Sequence, residues 1–388
     1  MLSSKGKSFL ESIVPPFIAN SYKQRRSLGR ADGLTLKKWR TSTLMGDPKF
    51  KNDYPELILM VEDYLASNDF DDTSKYWKHL INIHLKDLSS LGIDRYGEKV
   101  ARHYASWADF NDSKLQNLTE DFRNYQEKNL IDIFKIHSGF SPSSSIKHNI
   151  LIELLLRRIV NNGLFLQLEG IPEWDFVFGN HPSFSYKGRE INLDLLCSLL
   201  ELQSIKESLR DAENGAVLEI GAGSGRIANI FMRSYPNEKY VIADIPPALF
   251  ISATRLRLAF PNKKIVFVSN EIDLQKILSK SDWDVIACKP SLLEYFPDKF
   301  FKLTIAIDCV HEMNNKQRRF VSEMAETKSH FFYLKVWNET FIPLDNINLR
   351  IENAFEDYYV KESWVEIFNR SCLFPGDYTE ICYKMPTN

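Results

Sequence analysis

The five cysteines, Cys197, Cys288, Cys309, Cys372 and Cys382, include no C-x-x-C pair and form no tight framework. Their spacing argues against a disulfide-stapled scaffold or a structural zinc site, and points to free thiols in a reducing cytosol. Long apolar runs are missing too. The greasiest stretch, 150–160, carries Glu153, Arg157 and Arg158, so it is too short and too charged to span a bilayer and reads as a buried amphipathic helix. No internal repeat is apparent. The first residues are broken by Glu11 and Pro15-Pro16 and lack the apolar centre of a secretory leader, so a cytoplasmic protein is expected. With 388 residues, 44% hydrophobic and 26% charged, the chain can bury a full core in about two domains.

Net charge is small, −2, but unevenly placed. Residues 1–40 hold nine Lys and Arg against Glu11 and Asp32, a net of +7, which leaves −9 for the remainder. Phe9, Leu10, Ile13, Val14, Phe17, Ile18 and Tyr22 lie among those charges at helical spacing. Such a basic amphipathic arm can pack on its own domain or a second copy, lie on anionic lipid at the inner membrane face, or contact nucleic acid. The acidic body argues against the last, because a phosphate groove needs basic charge at the working face as well.

The most informative segment is Val217-Leu218-Glu219-Ile220-Gly221-Ala222-Gly223-Ser224-Gly225-Arg226, an apolar strand that ends in glycines at alternate positions and runs straight into a helical pattern. Glycines there allow a sharp βα turn and let a ligand lie against bare backbone at a helix N-terminus. A second strand, Lys239 to Ala243, ends in Asp244, 23 residues after Gly221, where a carboxylate can accept from a ribose diol. The turn reads G-x-G-x-G rather than the dinucleotide G-x-G-x-x-G, and Glu219 precedes it. An acid beside the glycines is awkward for pyrophosphate and comfortable for a ligand that carries an ammonium group, which favours S-adenosylmethionine.

Further on, the strand pattern 301–307 ends in Asp308-Cys309-Val310-His311-Glu312-Met313, a polar helix follows over 315–328, and 330–337 reads as another strand. The runs E-I-G-A-G-S-G-R-I-A, Y-V-I-A-D-I-P-P and D-x-x-H-E-M resemble class I S-adenosylmethionine-dependent methyltransferases, and within them the sugar O-methyltransferase family of bacterial polysaccharide biosynthesis, over about residues 185–340. The resemblance implies an α/β, Rossmann-like class I methyltransferase sheet. It also implies S-adenosylmethionine held by Glu219, Gly221, Gly223, Gly225, Asp244 and Ile245, and a sugar or glycan acceptor; methylation of a non-sugar small molecule or a protein side chain, or a non-catalytic scaffold role, stays open beside it. The chain departs from the family at Val310-His311, so a role for His311 rests on chemistry alone. An alcohol needs a general base, and His matches neutral pH, so His311 is the expected base, with Asp308 or Glu312 orienting it or binding an acceptor hydroxyl. Asp308 and Glu312 could instead hold Mg²⁺, although two carboxylates lack a third ligand.

The segment 55–167 is helical in pattern throughout, more than a minimal methyltransferase needs. The expected organisation is a basic arm over 1–45, a large helical cap over 46–185 and a methyltransferase domain over 186–388. A turn-rich aromatic stretch, Trp174 to Tyr186, could stack sugar rings or plug a domain interface, and a helix is expected over 191–209. Of the two strand patterns 264–269 and 284–289, the second is expected in the sheet's middle and the first as an added edge.

Overall fold

The computed structural model describes residues 34–93, 95, 155, 156, 159, 183–186, 189–209, 215–342, 344–374 and 376–386. Residues 1–33 of the basic arm therefore fall outside the described residues, as does nearly all of the helical pattern over 96–167 and most of the aromatic loop 174–186.

Three short helical turns lead into helix α1, Pro55–Leu65, and helix α2, Lys75–Leu91. Pro55 suits the first turn of α1, where its missing N–H is no loss. Ser74 caps α2 by accepting from the Trp77 N–H, and Gly92 at φ 74° ends it. Next comes a hairpin of β1, Ser183–Tyr186, and β2, Arg189–Asn192, then helix α3, Leu193–Ser208. The helix expected from Ile191 thus starts two residues later. Ile191 pairs with Phe184 across the hairpin, and Asn192 is the cap, its side chain accepting from the Leu195 N–H at 2.8 Å. The end of the aromatic loop is likewise a strand, because Ser183–Tyr186 finds a partner.

The rest alternates strand and helix: β3 Ala216–Ile220, α4 Arg226–Ser234, β4 Tyr240–Ala243, α5 Ala248–Ala259, β5 Ile265–Val268, α6 Glu271–Lys280, β6 Val285–Cys288, β7 Phe301–Ile307, α7 Asn315–Lys328 and β8 Ser329–Trp337. A small hairpin, β9 Glu339–Ile342 with β10 Ile347–Arg350, precedes β11 Val365–Ser371 and β12 Tyr378–Lys384. One eight-stranded sheet results, in the order β11-β12-β8-β7-β3-β4-β6-β5. Strands β5, β6, β4, β3, β7 and β8 run parallel, and β12 joins β8 antiparallel. As expected, 285–288 lies in the sheet beside β4 and 265–268 forms the edge.

Both faces are covered, which is why the parallel strands read as near-continuous apolar runs. Val217, Ile242, Leu303 and Tyr333 pack toward α3, α4 and α5, while Leu218, Val241, Ile286 and Leu334 pack toward α6 and α7. From β3 the chain winds one way to β4 and β6, and from β7 it winds the other way to β8. The crevice beyond the carboxyl ends of β3 and β7 is therefore the switch point where a doubly wound sheet takes its ligand. This is the Rossmann-like class I fold expected from the sequence.

Residues 55–91 dock along that same edge. Asp63 pairs with Lys289 at 2.8 Å, and Asp69 accepts from the Ser291 backbone at 2.9 Å, both partners lying just past β6. Farther along, the Ser74 N–H donates to Gln317 at 2.9 Å, and Asn314 donates to the Asp72 carbonyl at 2.6 Å.

Candidate cofactor and active site

Register fixes the centre of the site. Ile220, last in β3, lies opposite Ala243 on β4 and Ala306 on β7, so the segments after all three strands emerge side by side. They are the glycine turn, Asp244 and Asp308–Glu312.

The turn needs its glycines. Gly221, Gly223 and Gly225 sit at φ 73°, 56° and 73°. A Cβ at Gly221 would stand 2.5 Å from the Cys309 Cβ, and one at Gly225 would stand 3.0 Å from the Ser252 Cβ on α5. The turn is pressed between the β7 exit and α5, with bare backbone left at its centre. Cys309 closes the contact by directing its thiol to the Ile220 carbonyl at 3.1 Å.

Asp244 pins this turn. Its Oδ2 accepts the Gly223 N–H and its Oδ1 the Ile245 N–H, each at 2.7 Å. Burial pushes the carboxyl up to about 6, despite those two bonds. Two lone-pair sites remain for further donors. Ile245 is half-buried and contributes the backbone N–H just named.

Glu219 is placed differently from a free ammonium partner. It is buried on the α3–α4 face and accepts the Tyr240 hydroxyl at 2.9 Å. Burial pushes its carboxyl up to about 8, outweighing the Tyr240 bond and the Arg226 charge.

Beside it lies a charged cluster that no short motif announces. Arg226, first residue of α4, grips Glu201 of α3 with both terminal guanidinium nitrogens and also donates to the Ser198 hydroxyl at 3.1 Å. Lys335, near the end of β8 and 1% exposed, donates to Glu201 at 2.7 Å. Burial alone would lower Lys335, but Asp308 and Glu201 raise it and keep it charged. Burial would raise Glu201, but Arg226 and Lys335 hold it below the usual carboxylate range. A lone charge inside an apolar run was the available signal: Lys335 in F-F-Y-L-K-V-W and Glu201 in L-L-E-L.

Asp308 faces this cluster from the end of β7. Its φ is 57°, uncommon for a residue with a side chain. Its Oδ2 stands 3.6 Å from Arg226 and its Oδ1 4.0 Å from Lys335. The side chain is 23% exposed, yet Oδ1 is shut from solvent and takes no hydrogen bond among the described residues. Burial raises this carboxyl, with Glu201 adding to the rise against Lys335 and Arg226.

His311 and Glu312 follow in a single 3₁₀ turn. His311 is 2% exposed, its Nδ1 accepts the Trp337 N–H at 3.3 Å, and its ring meets Trp337 and Tyr378 edge-on. Burial, with Lys335 adding to it, pushes the imidazole down to about 3. Glu312 accepts a hydrogen bond from the Trp77 side chain on α2; burial, and then Asp308, push it up to about 8. The structure therefore brings Asp308, His311 and Glu312 together, but leaves His311 a poor base with one nitrogen already engaged. Among the described residues no group of three or more His, Cys, Asp or Glu is arranged to hold a metal ion, and no helix is long and apolar enough to cross a membrane.

Neither any family model nor any curated protein matches the chain. Among solved structures it is similar to the glycopeptide N-methyltransferase MtfA complexed with S-adenosylmethionine, at 12% identity over 48% of this chain and 87% of that one, with a TM-score of 0.33. It is similar to the CcbJ methyltransferase of Streptomyces caelestis at 11% identity over 50% of this chain and 95% of that one, with a TM-score of 0.34. It is also similar to the magnesium protoporphyrin IX methyltransferase of Synechocystis PCC 6803 with bound S-adenosylhomocysteine, at 10% identity over 60% and 100%, TM-score 0.34. The fold assignment rests on the strand order above, not on these scores.

Proposed function

We propose that this chain is an S-adenosylmethionine-dependent methyltransferase that methylates a hydroxyl of a sugar or glycan intermediate. The observation that carries the reading is the meeting of the glycine turn, Asp244 and Asp308–Glu312 at the switch point of the sheet. When bound there, S-adenosylmethionine supplies an electrophilic methyl group. The bare backbone of Gly221–Gly225 and the first N–H groups of α4 would hold it, and Asp244 would accept from the ribose hydroxyls with the lone pairs its two backbone bonds leave.

A hydroxyl acceptor must lose its proton as it attacks, and Glu312 rather than His311 takes it in this reading. Glu312 is poised at about 8, close to working pH, whereas His311 sits at about 3 with Nδ1 engaged by Trp337. His311 instead positions Trp337. Trp77 and Trp337 are both half-buried and tied to Glu312 and His311, and Trp337 has one face stacked on Tyr378; a remaining ring face at the site would suit the C–H face of a pyranose, which favours a sugar acceptor.

The test is calorimetry with S-adenosylhomocysteine and with NAD, followed by transfer from methyl-labelled S-adenosylmethionine to nucleotide sugars, lipid-linked glycans, small phenols and proteins. Binding of S-adenosylhomocysteine, lost in Gly223→Arg, and label in a sugar are the expected results. Tight NAD binding with none of S-adenosylhomocysteine would overturn the cofactor, and label only in a phenol or protein would overturn the acceptor.

A further inference from the structure

The first turn of α2 has Lys75 and Lys78 and no acid, although a helix start favours negative charge and leaves its N–H groups without intrahelical partners. The body supplies what the helix lacks. Asp345, in the turn between β9 and β10, accepts the Lys75 N–H on Oδ1 at 3.1 Å and the Tyr76 N–H on Oδ2 at 3.2 Å. One residue earlier, the N–H of buried Ser74 donates to the Gln317 side chain at 2.9 Å, which spares it an unpaired burial.

Gln317 has a second task. It is the third residue of α7, and the same Oε1 accepts the Asn314 N–H at 3.2 Å, while the Asn314 side chain accepts the Gln317 N–H at 3.1 Å and closes a capping box. Asn314 also donates to the Asp72 carbonyl. One box therefore caps α7 and carries the start of α2.

Both ends of this interlock adjoin the site. Asn314 stands two residues after Glu312, and Ser74 stands three residues before Trp77, whose indole donates to Glu312. Trp77 and Glu312 come from distant stretches of chain, so their meeting depends on how α2 is seated. With 3.6 residues per turn, a slip of one residue would swing the indole by about 100°.

We propose that Gln317 and Asp345 are positioning residues for methyl transfer, which seat the start of α2 so that the Trp77 indole meets Glu312. The inference deepens the reading of Glu312 as the base and rests on it. Helix α2 then completes the acceptor side of the site instead of only covering it. The titratable groups that face Glu312 are Asp308 and Cys309 from the β7 exit and Tyr378 from β12, with uncharged His311 beside it in the same turn. Asp308 opposes its ionised form and the indole favours it, so losing the indole should move its ionisation upward.

The test reads the indole itself, by NMR of the full chain carrying isotope-labelled tryptophan, with the Trp77 signal assigned by its loss in Trp77→Phe. In the wild type that signal should shift with pH around 8, and Glu312→Gln should abolish the shift. Gln317→Ala and Asp345→Ala should each move the midpoint upward or remove the titration. Gln317→Glu, whose carboxylate can accept the same two N–H groups, should restore it; should Gln317→Ala fail to fold, Gln317→Met serves. Methyl transfer to nucleotide sugars is read alongside. There kcat should fall about tenfold in the alanine variants and recover in Gln317→Glu, with S-adenosylhomocysteine affinity unchanged. A wild-type titration in both alanine variants overturns the positioning role, and so does lost thermal stability with no change at the indole. If the indole responds as expected while kcat does not, the reading of Glu312 as base falls and the seating of α2 stands. The titration needs no acceptor, so it decides even where no nucleotide sugar is methylated. A Trp77 signal that does not titrate in the wild type removes the contact itself and overturns the proposal.

Discussion

The backbone N–H of Trp337 points at Nδ1 of His311, 3.3 Å away, and so uses the lone pair that a general base would need. With the imidazole pushed down to about 3 by burial, the pH–rate profile should show no rise near 6.5. The rise should lie near 8, where Glu312 ionises: a base works as its carboxylate, so turnover grows as pH climbs through about 8 and levels above it. Glu312→Gln should remove that limb and lower kcat by about 10²–10⁴-fold. His311→Ala should keep the limb while lowering kcat less. A limb near 6.5 that vanishes in His311→Ala would return the base to His311.

Gly221 is held by a neighbour as well as by its backbone. Its φ of 73° disfavours any side chain, and a Cβ would meet the Cys309 Cβ at 2.5 Å and Sγ at 2.8 Å. Gly221→Ala is expected to destabilise by about 1–3 kcal/mol, as overpacking does. The companion substitution Cys309→Gly removes both clashing atoms and should restore part of that loss, leaving the backbone strain. Denaturant titration of the single and double variants reads this directly. A Gly221→Ala cost as large in the Cys309→Gly background as in the wild type would show that Cys309 is not the obstacle.

The glycine turn and Asp244 were legible because they are local: a strand, a turn and a carboxylate at fixed spacing state their own geometry. The central strands were legible because burial on both faces makes them uniformly apolar. The charged cluster was not, since Glu201, Arg226 and Lys335 are far apart in sequence and only the sheet order brings them together. Strand β11 escaped for a different reason: Val-Glu-Ile-Phe-Asn-Arg-Ser at 365–371 is an exposed edge with a register shift, so neither face alternates cleanly. His311 was found for its chemistry, but its residue type says nothing about the Trp337 N–H that occupies it.

Asp244 should set a pH limb in cofactor binding. In the free protein its carboxyl sits at about 6, and ribose hydroxyls donate to the ionised form, so binding below that pH must release a proton. Affinity for S-adenosylhomocysteine should be level above about pH 7 and fall by up to about tenfold per unit below about 6. Stability of the free protein has the opposite sense. A pKa raised from 3.8 contributes stability fully present below 3.8 and lost as pH rises through about 6. Asp244→Asn should bind weakly and show no such limb in calorimetry across pH. A limb that survives in the variant belongs to another group.

Glu201 is the hub of the buried cluster, and this fixes an order among stability losses. It is 3% exposed and neutralises two cations at once, Arg226 through two nitrogens and Lys335 through one. Glu201→Ala leaves both cations buried with their main acceptor gone, and should cost about 3–5 kcal/mol, the range for breaking a buried pair from one side. Lys335→Met removes a buried cation together with its desolvation penalty, and its stem is replaced by one of similar length. The Arg226–Glu201 grip survives, so this loss should be clearly smaller. Chemical denaturation of the two variants at one pH decides the matter. If Lys335→Met costs as much as Glu201→Ala, the cluster is organised around Lys335 and Asp308, and Glu201 is not the group that holds the cations in place.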